Sequence, residues 1–311
     1  MQLIRRPVER PALLADGCVA TIGAFDGLHL GHRKILERVL ELAATHGLPA
    51  LIFSFEPTPK EYFSRQSPPA RLMRFREKYH ALEALGADVF YCPRFEPALE
   101  GLTPEVFIDD LLLRLLNVKH LVVGDDFRFA RKRSGSIVDL ERRAGEGVFT
   151  VEQVGSVIES GERVSSSVVR RLLAAGETDP ARQLLGSWYR MSGRVVRGRL
   201  LGRELGMPTA NIKLKRKLSP VQGIFAVRAE LENSGVWLAG VASVGTRPTV
   251  NGTEPLLEVH IFDFSRDIYG QHIQVEFVAK LRDEERFDDL DTLRTQMFID
   301  ADQARTLLAA A

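Results

Sequence analysis

Cysteine is scarce in this sequence: Cys18 and Cys92 are the only two in 311 residues. They lie far apart and outside any CxxC or Cys/His spacing, which excludes a disulfide framework and a cysteine-based zinc site and fits a reducing cytoplasm. Long apolar runs are missing too. None approaches the roughly 20 residues that a membrane helix needs, and residues 1–16 are broken by Pro7, Pro11 and several charges, so neither a signal peptide nor an anchor is expected. Charge of one sign is not in excess, with 42 basic side chains against 41 acidic ones and a formal net charge of +1. No global field draws in a polyanion or a charged membrane, so phosphate must be held by local clusters. Internal repeats, low-complexity tracts, the GxxxxGK(S/T) loop of P-loop enzymes and the GxGxxG dinucleotide fingerprint are also lacking.

The apolar content, 45% of residues, is enough for one core in each of two domains. In the first half, apolar runs at 19–25, 49–55, 89–91 and 120–123 alternate with helical patterns at 30–46, 76–85 and 104–116. That βαβα rhythm predicts a parallel sheet flanked by helices. Hydroxyls at Ser165, Ser166 and Ser167 cap an expected helix over 168–174, a further helix covers 180–185, and the boundary is expected near Gly186. Beyond it, runs at 189–196, 224–231, 236–244, 256–264 and 272–281 are separated by turns rich in Gly, Asn and Pro, which predicts a small antiparallel β-barrel. Two amphipathic segments, 290–297 and 299–308, are expected to cover its open side.

The strongest chemical signal is Gly23-Ala24-Phe25-Asp26-Gly27-Leu28-His29-Leu30-Gly31-His32, between a predicted strand and a predicted helix at the carboxyl edge of the sheet, where α/β folds bind ligands. Gly27 and Gly31 remove side-chain bulk where a nucleotide meets the backbone. His29 and His32 share one face of the first helical turn, so both imidazoles meet one phosphate and stabilise charge growing on it. Gly23 and Phe25 belong to the same nucleotide-facing segment, although Phe25 also reads as core. The plain alternative is a glycine-rich turn bearing two satisfied surface histidines. Downstream, Asp126, Arg128, Arg131, Lys132 and Arg133 lie on a loop bounded by Gly124 and Gly135 that suits gripping phosphates. Ser165 and Ser166 at a helix start, followed by Arg170, suit a departing pyrophosphate. Each segment alone also reads as a solvated basic loop or an ordinary cap.

In the second half, Gly202 and Gly206 flank a charged pair ahead of Pro208-Thr209-Ala210-Asn211, whose hydroxyl and amide oxygens suit Mg²⁺. Strand alternation places Leu256, Glu258, His260 and Phe262 on one face and Leu257, Val259 and Ile261 on the other. Glu258 is therefore the candidate base for a sugar-alcohol hydroxyl, a poor nucleophile that gains from a positioned carboxylate. An ordinary turn and an exposed strand carboxylate are the competing readings. The run Lys213-Leu214-Lys215-Arg216-Lys217 reads as a solvated basic loop.

These motifs resemble prokaryotic bifunctional riboflavin kinase/FAD synthetases. Residues 15–185 are similar to the FMN adenylyltransferase module of the HxGH nucleotidyltransferase superfamily, and residues 186–308 to the riboflavin kinase module. The resemblance implies a Rossmann-like first domain, 1–185, and a barrel domain, 186–311. It implies that His29, His32, Ser166 and Arg170 serve ATP, and that residues 53–59 and 126–133 shape the flavin side. It further implies that Thr209 and Asn211 coordinate Mg²⁺ and ATP phosphates, that Glu258 is the catalytic base, and that a final helix near Arg294 borders the flavin. Ala130 stands where the family has glycine, and Thr58 where it often has histidine. The expected partners are riboflavin, FMN, ATP and FAD, with no nucleic acid, no membrane, and self-association weak at most. Two other readings stay open: a nucleotidyltransferase with a different phosphorylated acceptor and a regulatory barrel, or a nucleic-acid-binding barrel using Arg194, Arg197, Arg199 and Arg203.

Overall fold

The structure, a computed structural model, describes residues 1–6, 9–198, 201–232, 234–249 and 252–310, so Pro7 and Arg199 lie outside the described residues. By internal contacts the chain divides into two units, residues 1–69 with 75–164 and residues 70–74 with 165–311.

The first unit is built on six strands, β1 (Gln2–Ile4), β2 (Cys18–Ile22), β3 (Ala50–Phe53), β4 (Val89–Tyr91), β5 (Val118–Gly124) and β6 (Thr150–Val154), in the order β1-β4-β3-β2-β5-β6. All pairings are parallel. Every residue of β2 and β3 is buried, as an apolar run covered on both faces requires. Helix Leu30–His46 has the expected bounds because it is closed at both ends, by His29 as N-cap and by Gly47 in the left-handed region at φ 63°. The chain leaves β2 toward β3 on one side and leaves β5 toward β6 on the other. The topological switch point therefore lies between the carboxyl ends of β2 and β5, where an open parallel sheet leaves a crevice.

Three features differ from expectation. Strands β1 and β6, at the two edges of the sheet, and the separate hairpin β7 (Ile158–Glu159) with β8 (Glu162–Arg163) are short and lack an apolar run of strand length. The helix expected over 104–116 starts as α at Pro104–Val106 and continues as a π-helix over Phe107–Leu115. Helices Ser166–Ala175 and Thr178–Leu185 group with the second unit, where Thr178 Oγ1 donates to the Val278 carbonyl at 2.6 Å.

The second unit contains a closed antiparallel barrel of β9 (Tyr189–Val196), β10 (Ala210–Lys213), β11 (Gly223–Leu231), β12 (Trp237–Thr249), β13 (Gly252–Ile261) and β14 (His272–Arg282), in the order β10-β13-β12-β11-β14-β9. Its interior is filled by alternate side chains, among them Met191, Ile212, Phe225, Leu257, Val259, Val275 and Phe277. The two expected C-terminal segments form one helix, Leu290–Ala310. Asp300 interrupts the apolar stripe, yet it is buried and receives Arg282 of β14 in a two-pronged pair, Nε to Oδ1 at 2.9 Å and Nη2 to Oδ2 at 2.8 Å. Ala301, Ala304 and Met297 of the helix then pack with Ala226, Val241 and Phe262 of the barrel.

Cys18 and Cys92 are free and buried. Burial pushes the Cys18 thiol up to about 12, while nearby Lys119 opposes it; burial also pushes Cys92 up to about 11. Thiolate is the reactive form, so neither residue is expected to react with a disulfide reagent at pH 8 until the chain unfolds. Stoichiometric labelling of native protein within minutes would contradict this burial.

Candidate active sites

Immediately after β2 the chain turns sharply. Phe25 at φ 47°, Gly27 at 89° and Leu28 at 44° all lie in the left-handed region, an arrangement costly for the two residues bearing a Cβ. The turn is held from within. The Phe25 ring is 1% exposed and covers Gly23, where an added Cβ would meet it at 2.9 Å. The structure thus buries Phe25 as the local core of the segment, and Gly23 supplies the close approach beneath it.

The turn delivers both histidines to one helix start. His29 Nδ1 accepts from the His32 amide at 3.4 Å, and the His29 carbonyl accepts from the same amide at 2.8 Å. A capping Nδ1 is an acceptor, so the proton of the neutral ring resides on Nε2. The two imidazoles stack with centroids 3.7 Å apart and planes at 18°, and Phe25 meets His32 edge to face at 5.2 Å. His32 Nδ1 is buried without a hydrogen-bond partner. Burial above all, then the neighbouring His29 and Lys78, holds His32 well below the ordinary imidazole range, so the ring is neutral. Gly31 leaves only 3.3 Å between a would-be Cβ and the His29 ring.

Lys78 was not anticipated from the sequence. It is 4% exposed, and its ammonium donates to the Ala24 carbonyl and, at 3.4 Å, to Ser54 Oγ. The available signal was a lysine at a core position of helix Phe75–Ala84, four residues before the buried Leu82.

Across the switch point, the loop after β5 is anchored by acid groups and by aromatic packing. Asp125 accepts from Ser156 Oγ at 2.8 Å, Ser156 N at 2.9 Å and Arg163 at 3.0 Å, and Asp126 pairs with Arg163 at 3.1 Å. The Ser156 hydrogen bonds foremost hold the Asp125 carboxyl below its usual range. Phe129 is buried against Gly135 and Phe107, while Arg128, Arg131, Lys132 and Arg133 stay exposed. Ala130 has φ 64°, a backbone setting that favours glycine, the residue the resemblance leads one to expect there. Thr58 caps helix Pro59–Phe63 through a reciprocal box with Glu61.

Ser165, Ser166 and Arg170 stand in the second unit. Ser165 Oγ accepts from Val168 N at 3.3 Å as the N-cap of helix Ser166–Ala175, and Arg170 Nε donates to the Ala70 carbonyl at 2.7 Å.

In the barrel, ladder register assembles a second centre. Asn211 of β10 pairs opposite Glu258 of β13, and Glu258 opposite Ser243 of β12, giving a row across three strands. Leu257, Val259 and Ile261 point inward and are buried, so Asn211, Glu258 and Ser243 occupy the outer face. There they line a cavity of about 490 Å³ together with Gly202, Thr209 and His260. The opposite wall is Phe287, Leu293, Met297 and Asp300, from the C-terminal helix and the loop before it. Four expected residues, Gly202, Thr209, Asn211 and Glu258, thus meet in one pocket. Gly206 and Arg294 do not line it: Gly206 makes a turn at φ 86°, and the Arg294 guanidinium lies 5.8 Å from the Phe298 ring centroid.

Ser243, Arg282 and Glu284 also line the cavity and were not anticipated. Ser243 Oγ donates to Glu284 Oε1 at 3.3 Å, and Glu284 covers Gly245. The Gly202 position is tight. A Cβ there would stand 2.5 Å from the Met207 carbonyl oxygen and 3.2 Å from Thr209 Oγ1. Gly202→Ala is expected to displace Thr209 and, for the two activities the resemblance implies, to lower flavin phosphorylation by about 10- to 100-fold while leaving adenylylation of supplied FMN unchanged. Separate initial-rate assays of the two reactions check this. Of the arginines in the nucleic-acid reading, Arg194 donates to the Gly270 carbonyl, Arg197 lies over Tyr269, and Arg199 is outside the described residues.

The FAD synthetase family profile matches residues 13–168, and the riboflavin kinase profile matches residues 185–308. The chain is 44% identical to the bifunctional riboflavin kinase/FMN adenylyltransferase of Escherichia coli K12 over 98% of its own length and 97% of the relative's. It is 42% identical to that of Haemophilus influenzae, with 98% of each chain covered. Similarity to the protein of the same name from Pseudomonas fluorescens is 42%, covering 99% of this chain and 98% of the other. A crystal structure described as a macrolide-efflux protein from Streptococcus pneumoniae superposes with a TM-score of 0.79 at 29% identity, covering 93% of this chain and 94% of that one. Among the described residues of the present chain, no helix is long and apolar enough to cross a membrane. Two successive family matches, and relatives aligned over nearly the whole length, establish that this chain belongs to the bifunctional riboflavin kinase/FMN adenylyltransferase family.

Proposed function

We propose that this chain makes FAD in two steps: riboflavin and ATP give FMN and ADP at the barrel, and FMN with a second ATP gives FAD and pyrophosphate at the parallel sheet. The reading assigns residues 1–185 to adenylyl transfer and 186–311 to phosphorylation. The observation that carries it is the row of Asn211, Glu258 and Ser243 in one cavity with Thr209, far along the chain from the stacked histidines after β2.

In the kinase cavity, Glu258 accepts the proton of the terminal ribityl hydroxyl as that oxygen attacks the γ-phosphorus and ADP leaves. The Met207, Val241, Leu293 and Met297 side chains offer apolar surface to a flavin ring. Thr209 and Asn211 fit Mg²⁺ by donor type, a hydroxyl and an amide oxygen beside a carboxylate, and would hold it with the phosphates completing the shell. When bound, the ion neutralises phosphate charge.

At the sheet, FMN already carries its nucleophile, an anionic phosphate oxygen, so no base is needed. The chain positions it and stabilises charge on the α-phosphate through the imidazoles of His29 and His32 and the positive end of helix Leu30–His46. Ser165, Ser166 and Arg170 receive the pyrophosphate, while Asp126, Arg128 and Arg133 border FMN. The reading places the enzyme in the cytoplasm, with self-association weak at most.

Purified protein incubated with riboflavin, ATP and Mg²⁺ is expected to accumulate FMN and then FAD on chromatography. Absence of both products would refute the proposal.

A further inference from the structure

The β10–β13 ladder ends at the pair Ala210↔Val259. One step further the register sets Thr209 opposite His260, and there the backbone pairing stops. A side chain takes its place: His260 Nδ1 lies 2.9 Å from the Pro208 carbonyl oxygen. A carbonyl only accepts, so Nδ1 carries the proton and donates it. Two further hydrogen bonds are internal to this turn, Met207 N to the Gly202 carbonyl at 2.7 Å and Gly206 N to the Arg203 carbonyl at 3.2 Å. They shape the turn, and Met207 packs it against Ala226, Val241 and Phe262 of the barrel, but neither of these two hydrogen bonds reaches the strand that carries Glu258. His260 supplies a hydrogen-bonded tie from the strand that carries Glu258, two residues away on the same face and in the same cavity.

We infer that His260 is a positioning residue for flavin phosphorylation: its Nδ1–H fixes the Pro208 carbonyl and so holds Thr209 in register with Asn211 and Glu258. The inference rests on the kinase reading proposed above. Its physical basis is that a ligand oxygen on a short turn is only as well placed as the group behind it, and removing such a supporting hydrogen bond typically costs about 10- to 100-fold in metal affinity or activity.

The test uses the full chain and three substitutions. Asparagine places an amide N–H where the imidazole Nδ1 stood, glutamine places one farther out, and leucine places none. In His260→Leu and His260→Gln, the Mg²⁺ concentration for half-maximal FMN formation is expected to rise by about 10- to 100-fold. The KM for riboflavin and the formation of FAD from supplied FMN are expected to stay unchanged. His260→Asn is expected to recover the native Mg²⁺ requirement to within about threefold, since the hydrogen bond is kept. Independently of activity, the ¹⁵N spectrum of histidine-labelled protein is expected to show His260 protonated at Nδ1.

A His260 protonated at Nε2 alone would overturn the inference. So would an unchanged Mg²⁺ requirement in His260→Leu, or an equal fall of every kinetic constant together with the melting temperature in all three variants. Failure of the unsubstituted chain to make FMN would refute the kinase reading itself and the inference with it.

Discussion

Replacing Glu258 with glutamine is expected to lower FMN formation by between about 100- and 10,000-fold, the range over which a positioned general base contributes. FAD formation from supplied FMN is expected to be untouched. The substitution keeps the shape and removes only the capacity to take a proton. Glu258 also lies on the outer face of β13, while its neighbours Leu257 and Val259 fill the barrel interior, so the core is left intact. On the proposed reading riboflavin rests on the apolar wall opposite, so the loss should fall on kcat and not on KM. Chromatographic rate assays begun from riboflavin or from FMN separate the two reactions. An equal loss in both would mean that the centres are not independent.

The mirror result is expected at the sheet. Removing both imidazoles, His29→Ala with His32→Ala, is expected to abolish measurable FAD formation while riboflavin phosphorylation persists, because each donor aimed at developing charge contributes about 100- to 1,000-fold. His29 also caps its helix, and losing a cap costs about 1 kcal/mol. His29→Asn separates these roles: asparagine restores the cap acceptor but not the Nε2 donor. It is expected to recover melting temperature without recovering FAD synthesis. Circular dichroism of each variant checks that the sheet domain is folded, and FAD synthesis retained at native rates in the double substitution would remove the assigned role of the pair.

Much of this architecture is legible in the sequence, for local reasons. Helix Leu30–His46, β4 and β9 have their expected bounds because apolar periodicity and stop signals coincide there. Strand β10 is invisible locally, since Ala210–Lys213 reads as the tail of a turn and becomes a strand only by pairing with β9 and β13. The C-terminal helix reads as two segments, 290–297 and 299–308, where one helix runs, and the partner that accommodates its buried Asp300, Arg282, is 18 residues away. The candidate sites divide along the same line. Gly202, Thr209, Asn211 and Glu258 stand out by residue type and spacing. Ser243 matters through the register of β12 against β13, and Lys78 through its burial beneath a turn more than 50 residues earlier. Neither register nor burial is written in a local pattern.

Two complete and separate phosphate-handling centres on one chain can be tested by mixing. Glu258→Gln protein still adenylylates FMN on this account, and protein carrying His29→Ala and His32→Ala still makes FMN, so neither alone converts riboflavin to FAD. Combined in one tube with riboflavin, ATP and Mg²⁺, they are expected to produce FAD after a lag in which free FMN builds up. A mixture that yields no FAD, although each variant performs its own half-reaction, would contradict it.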